Sequence, residues 1–218
     1  MQTGVERSIT SLPSVSVFFE NNVSCSTVKN QITNVSDSVR EYNEVIKGCK
    51  ELFKKKTKDY GTAWRILRLP SMTDQIFIKA QRIRSIQEKG KSKVEEGIQE
   101  ELVGIINYCI MAVMQMKLTD NSNLEMTYEE LSPLYDEIAE ETRTLFLDKN
   151  HDYGEAWREM RVASITDIIL MKILRVKQIE DNDGATLVSE GVRSNYMDMI
   201  NYSVFALIKL SYENKQNH

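Results

Sequence analysis

The chain contains one pattern twice. Lys56-Thr57-Lys58-Asp59-Tyr60-Gly61-Thr62-Ala63-Trp64-Arg65 returns as Lys149-Asn150-His151-Asp152-Tyr153-Gly154-Glu155-Ala156-Trp157-Arg158, an offset of 93. The match continues through Arg68/Arg161, Ser71/Ser164, Thr73/Thr166, Asp74/Asp167, Lys79/Lys172 and Arg82/Arg175. After a one-residue insertion the offset is 94, and Glu96-Gly97 and Ile106-Asn107-Tyr108 match Glu190-Gly191 and Ile200-Asn201-Tyr202. Both tryptophans of the chain stand at equivalent places. Packing alone preserves apolar character and lets surface charge drift. Shared Asp, Trp, Arg, Lys and Asn therefore point to a site or to a buried polar network.

The rest of the pattern reads as helix. Tyr42, Val45, Ile46, Cys49, Leu52 and Phe53 recur at three- and four-residue spacing, and Tyr135, Ile138, Ala139, Leu145 and Phe146 repeat the stripe. A second helix carries Ile76, Phe77, Ala80 and Ile83, and a third carries Ile98, Leu102, Ile105, Ile106 and Cys109, each with a twin. Ser71-x-x-Asp74 and Ser164-x-x-Asp167 resemble helix starts, and Pro70 closes the segment before the first of them. Thr127-x-x-Glu130 reads as a capping box. The expectation is an all-α fold of two tandem three-helix repeats, packed as one pseudo-twofold bundle because three short helices bury little surface alone. Residues 1–37 read as a flexible leader, 38–118 as repeat one, 119–127 as a linker and 128–213 as repeat two.

Composition narrows the chemistry. No apolar run approaches the roughly 18 to 20 residues of a membrane helix. A net charge of −4 does not favour a nucleic-acid backbone. Cys25, Cys49 and Cys109 have no metal-ligand spacing, which fits a reducing cytoplasm. There are only two histidines, His151 and the terminal His218, so any metal would be held by oxygens, Mg²⁺ or Mn²⁺ before Zn²⁺.

Three constellations can carry function. In the first, Asp59 and Asp152 are candidates to bind metal or orient a base. Tyr60, Trp64, Tyr153 and Trp157 are candidates to stack on a nucleobase, and Arg65, Arg68, Arg158 and Arg161 to grip phosphate. The alternative is a helix C-cap with Trp in the core and Asp paired to Arg. In the second, Lys79 with Arg82 and Lys172 with Arg175 lie three apart on one helical face, either for polyphosphate or as a solvated surface. The third is the acidic end of the third helix, with Glu96, Glu101, Glu190 and Asp198 as candidate Mg²⁺ ligands and Asn107 and Asn201 embedded in apolar runs. Repeat one offers Glu101 with Gly104, and repeat two offers Asn195 with Asp198. If the repeats pack about a twofold axis, Glu101 and Asp198 approach across the interface and each supplies what the other repeat lacks.

The Asp-Tyr-Gly-x-Ala-Trp-Arg block, the Ser-x-Thr-Asp segment and the Ile-Asn-Tyr helix resemble the nucleotide modification associated domain family, type one, in a tandem form covering about residues 40–212. That family is in turn similar to the MazG-like all-α nucleoside triphosphate pyrophosphohydrolases, which hold Mg²⁺ with Glu-x-x-Glu on one helix and Glu-x-x-Asp on another. The resemblance implies a nucleotide or nucleoside triphosphate as partner, with Asp59, Asp152, Glu101 and Asp198 in the catalytic places. Glu101 takes the first place of the second motif in repeat one, and Asp198 the last place in repeat two. Lys56-x-x-Asp59 and Lys149-x-x-Asp152 stand where the first motif belongs. The alternative reading is a non-catalytic helical module that senses a nucleotide or pairs with a partner, including a second copy of itself.

If the two repeats share one core, residues 119–218 expressed alone should form a molten or oligomeric species. Circular dichroism and size-exclusion chromatography check this, and a cooperative, monomeric half would contradict it.

Overall fold

The computed structural model describes residues 25–90, 97–118, 123–182, 184 and 191–216, with side chains described between residues 37 and 213. The described chain is all helix: α1 (Cys25–Tyr60), α2 (Leu69–Lys89), α3 (Ile98–Lys117), α4 (Tyr128–Tyr153), α5 (Val162–Asp181) and α6 (Val192–Gln216). A short 3₁₀ turn follows α1 at Ala63–Ile66 and α4 at Ala156–Glu159. Among the described residues no helix is long and apolar enough to cross a membrane.

The helix ends follow from local chemistry. Gly61 and Gly154 close α1 and α4 at φ 62° and 58°, a left-handed conformation that costs glycine least, and their N–H groups bond back to Thr57 and Asn150. The Thr127–Glu130 capping box forms as the sequence predicts. The other expected helix starts move. α2 begins at Leu69 and α5 at Val162, so Ser71 and Ser164 lie inside the first turn and cap nothing. Pro70 falls in that first turn of α2, where its missing N–H would have had no partner, so it opens the helix rather than closing the preceding segment. Of the expected leader, residues 1–24 lie outside the described ones, and α1 extends back to Cys25.

α2, α3, α5 and α6 pack together, and α1 and α4 lie against α3 and α6 and against each other. One apolar core draws on all six helices, from Tyr42 and Ile76 through Ile106 and Tyr135 to Ile169 and Ile200.

Polar residues join the repeats reciprocally. Tyr42 of repeat one donates to the Asn201 amide oxygen of repeat two (3.0 Å), and its twin Tyr135 donates to Asn107 (2.9 Å). Asn201 donates in turn to the Thr142 carbonyl and Asn107 to the Cys49 carbonyl. Tyr42 stacks on Phe146, and Tyr135 packs tilted on Phe53. Between α2 and α5, Thr73 bonds Glu180 while Thr166 accepts from Gln87. Asp74 pairs with Lys177 and Asp167 with Arg84. Every one of these contacts has its counterpart with the repeats exchanged, the pattern that two repeats packed about an approximate twofold axis would give.

Tyr42→Phe keeps the ring over Phe146 but leaves the buried Asn201 oxygen without its donor. The expected cost is about 1 to 3 kcal/mol, read from urea denaturation with an unchanged m value; Tyr135→Phe should behave alike. A loss under about 0.5 kcal/mol for both, the range of an inconsequential surface change, would place the hold between repeats in the apolar contacts alone.

Candidate functional site

A cavity of about 650 Å³ opens in repeat one, between the C-terminal end of α1, its 3₁₀ turn and the flank of α3. Lys56 and Tyr60 come from the last turns of α1, Trp64 from the 3₁₀ turn, Lys79 from α2, and Gly104, Asn107, Tyr108 and Met111 from successive turns of α3. The wall is largely apolar and aromatic. Tyr60 stands at the solvent edge, 73% exposed. The Trp64 indole N–H is shut off from solvent and has no acceptor among the described residues. Lys56 is exposed and has no ionic partner among them.

The same place in repeat two is filled. Phe205 stands where repeat one has Met111, and Trp157 stacks on it at 4.5 Å with the rings 10° from parallel. Asn150 stands where repeat one has Thr57, and its side-chain oxygen accepts from the Trp157 indole at 3.1 Å. Thr57 turns its hydroxyl to the Phe53 carbonyl instead. Trp157 is consequently core, whereas Trp64 is only half-buried.

Glu101 of α3 and Asp198 of α6 are neutralised within their own repeats. Asp198 accepts from Lys149 (2.6 Å) and Lys172 (2.5 Å). Glu101 accepts from Lys79 (3.1 Å) and, more closely, from Arg82. Both acids are 4% exposed. Burial by itself would push the Asp198 carboxyl up, but the hydrogen bonds and charges of Lys149 and Lys172 together outweigh it and hold the group below its ordinary value. Each of the two acids is engaged by cations of its own repeat. Among the described residues no three carboxylate, imidazole or thiol groups gather where a metal could sit. An acid already carrying two cations has little charge left for a third, so Glu101 and Asp198 do not fit Mg²⁺ as they stand. Glu96 and Glu190 lie outside the described residues.

The other candidates divide. Lys79, Tyr60, Trp64 and Asn107 reach the cavity; Asp59, Arg65, Arg68 and Arg82 do not line it. Asn107 and Asn201 have both ends of their amides engaged, the oxygen by a tyrosine of the other repeat and the nitrogen by a carbonyl of their own. Arg65 is buried on Gln115 (2.5 Å), and Gln115 returns a bond to the Arg65 carbonyl. Arg158 pairs with Glu41 (2.8 Å) and Glu155 (2.7 Å), lies over the Trp157 ring, and receives Lys209 on its carbonyl. Both arginines thus tie the 3₁₀ turn to the bundle. Asp59 and Asp152 are exposed at the ends of α1 and α4, Asp152 beside His151, and neither pairs with the arginines. Tyr153, Arg68 and Arg161 are also exposed, and Arg175 is half-buried. Burial pushes the Cys49 thiol up to about 12 and Cys109 well above its ordinary value, so neither is a nucleophile.

Sequence reasoning from shared residues missed Lys56, Gly104, Tyr108 and Met111 as cavity residues. The signal lay partly in the positions where the repeats disagree, Gly104 against Asp198 and Met111 against Phe205.

Asp198→Asn should cost about 1 to 3 kcal/mol at pH 7, the range for a broken charged hydrogen bond. The folded carboxyl titrates below its unfolded value, so its contribution is present above the unfolded pKa of about 3.9 and lost as pH falls through the folded one. Denaturation of wild type and variant from pH 7 to pH 3 should show the gap closing below about pH 4. A gap independent of pH would assign the loss to packing rather than charge.

No curated protein and no solved structure matches this chain. A family model does, twice, over residues 56–116 and 149–210, each match running from the last turns of a repeat's first helix, through its tryptophan turn and second helix, into its third. With more than half of its length matched, the chain belongs to the family described as nucleotide modification associated domain 1.

Proposed function

We propose that the protein binds a nucleotide, with the base inserted into the repeat-one cavity. The observation that carries this reading is the state of Trp64. Its indole N–H is enclosed without an acceptor, in a cavity large enough for a nucleoside, while its twin Trp157 has both a stacking partner and an acceptor. Buried donors are almost always satisfied. A nucleobase supplies a flat π-face for Trp64, and a turn of the indole toward the cavity would give its enclosed N–H a carbonyl or ring-nitrogen acceptor. The volume lies in the usual range for small-ligand sites, roughly 300 to 1,000 Å³. The family's association with nucleotide modification is consistent with such a ligand.

Hydrolysis of a triphosphate has less support. Its metal would have to rest on Glu101 or Asp198, both neutralised by lysine or arginine. Binding is accordingly the function put forward.

Titration calorimetry with the common nucleosides and nucleotides tests it. Trp64→Ala should weaken binding at least tenfold, since base–aromatic stacking contributes about 1 to 3 kcal/mol per base and about 1.4 kcal/mol corresponds to tenfold. Trp157→Phe should leave affinity nearly unchanged. Equal affinity in wild type and Trp64→Ala would end the assignment of the cavity.

A further inference from the structure

Repeat two shows what the lysines of the cavity are built to hold. Lys149 and Lys172 meet at one buried carboxylate, that of Asp198. Their twins are Lys56 and Lys79, and the twin of Asp198 is Gly104; all three line the repeat-one cavity. Repeat one thus keeps both cations and removes the anion between them. We propose, resting on the base-binding reading above, that a single phosphate of the ligand takes the place of the Asp198 carboxylate, seated over Gly104 between Lys56 and Lys79, and that the protein selects nucleoside monophosphates.

Three features support a seat of this size and charge. A side chain at Gly104 would crowd the place: a Cβ there would lie 2.8 Å from the Lys79 Cε and 2.9 Å from its Cδ. The absence of that Cβ lets the Lys79 stem cross α3 and rest on Glu101, one turn earlier. Glu101 also carries Arg82, so it keeps a cation when Lys79 turns to a ligand. Lys56 has no competing partner among the described residues and is the uncommitted charge. Glu100 and Glu101 line the same cavity. A triphosphate would bring further negative charge against Glu100, with Lys56 and Lys79 alone to offset it; one phosphate is matched and three are not.

The test uses the full-length chain, calorimetry, and the common ribo- and deoxyribonucleosides with their 5′-mono- and triphosphates. For the preferred base, the monophosphate should bind at least tenfold more tightly than the nucleoside and more tightly than the triphosphate. Lys56→Met, at an exposed position, should reduce the monophosphate to the affinity of the nucleoside. Gly104→Asp, which restores the internal carboxylate of repeat two and displaces only the flexible end of Lys79, should lower monophosphate affinity tenfold or more, and the melting temperature measured alongside separates that loss from unfolding. Equal binding of nucleoside and monophosphate by wild type, a triphosphate that binds as tightly as the monophosphate, or an unchanged ratio in Lys56→Met would overturn the phosphate seat while leaving the base site standing. Failure of every nucleoside and nucleotide to bind would overturn both.

Discussion

A tyrosine hydroxyl from each repeat rests on an asparagine amide of the other, and much of the structure depends on those two bonds. Tyr42, Tyr135 and Asn201 are among the most deeply buried groups, and Asn107 is only slightly less so. Burial pushes both phenols far above their ordinary range, so they remain neutral donors. An asparagine in mid-helix within an apolar run is costly unless both ends of its amide are engaged. Each amide meets that condition by taking a carbonyl from the first helix of its own repeat and a hydroxyl from the first helix of the other. The bonds therefore set register as well as adding stability. Sliding α1 or α4 by one turn would strand an amide oxygen in the core.

This arrangement changes what identity between the repeats means. Asp74 and Asp167, Thr73 and Thr166, and Asn107 and Asn201 recur because each reaches across to the other repeat. Arg65 and Arg158 recur because each guanidinium, buried in Arg65 and half-buried in Arg158, fastens its tryptophan turn to the bundle. The shared polar residues are mainly architectural. The candidate site lies where the copies part: Thr57 against Asn150, Gly104 against Asp198, Met111 against Phe205. One copy carries an internal ligand set of aromatic ring, amide oxygen and carboxylate. The other lacks all three and has a cavity there.

The fold was largely legible because its signals are local. Apolar spacing of three and four and a Thr-x-x-Glu box each act within a turn or two of chain, and each formed where expected. Ser71 and Ser164 misled because a Ser followed by an acid three residues on is an equally good first-turn pair, and Pro70 was better placed inside the helix than before it. The candidate site was only half legible. Trp64, Tyr60, Lys79 and Asn107 were identified, but the roles of Arg65, Asp74 and Asn107 depend on partners far away in sequence, and a comparison of two copies registers that a residue is kept without registering what it touches. Lys56 had no special standing until its twin Lys149 was seen on Asp198.

Duplication gives a physical route to such a site. Trp64 has a buried N–H without an acceptor among the described residues, which is unfavourable for a small domain whose total stability is commonly about 5 to 15 kcal/mol. A single three-helix repeat would have little margin to hold it. Here the second copy retains the stacked Trp157–Phe205 pair, the Asn150 bond and the Asp198 ion pairs, and it is joined to the first through a continuous core and reciprocal polar contacts. The closed repeat thus supports the open one. The groups left unsatisfied in repeat one are those a base and an anion would complete, so ligand binding there would also return to the open copy the interactions its twin already makes internally.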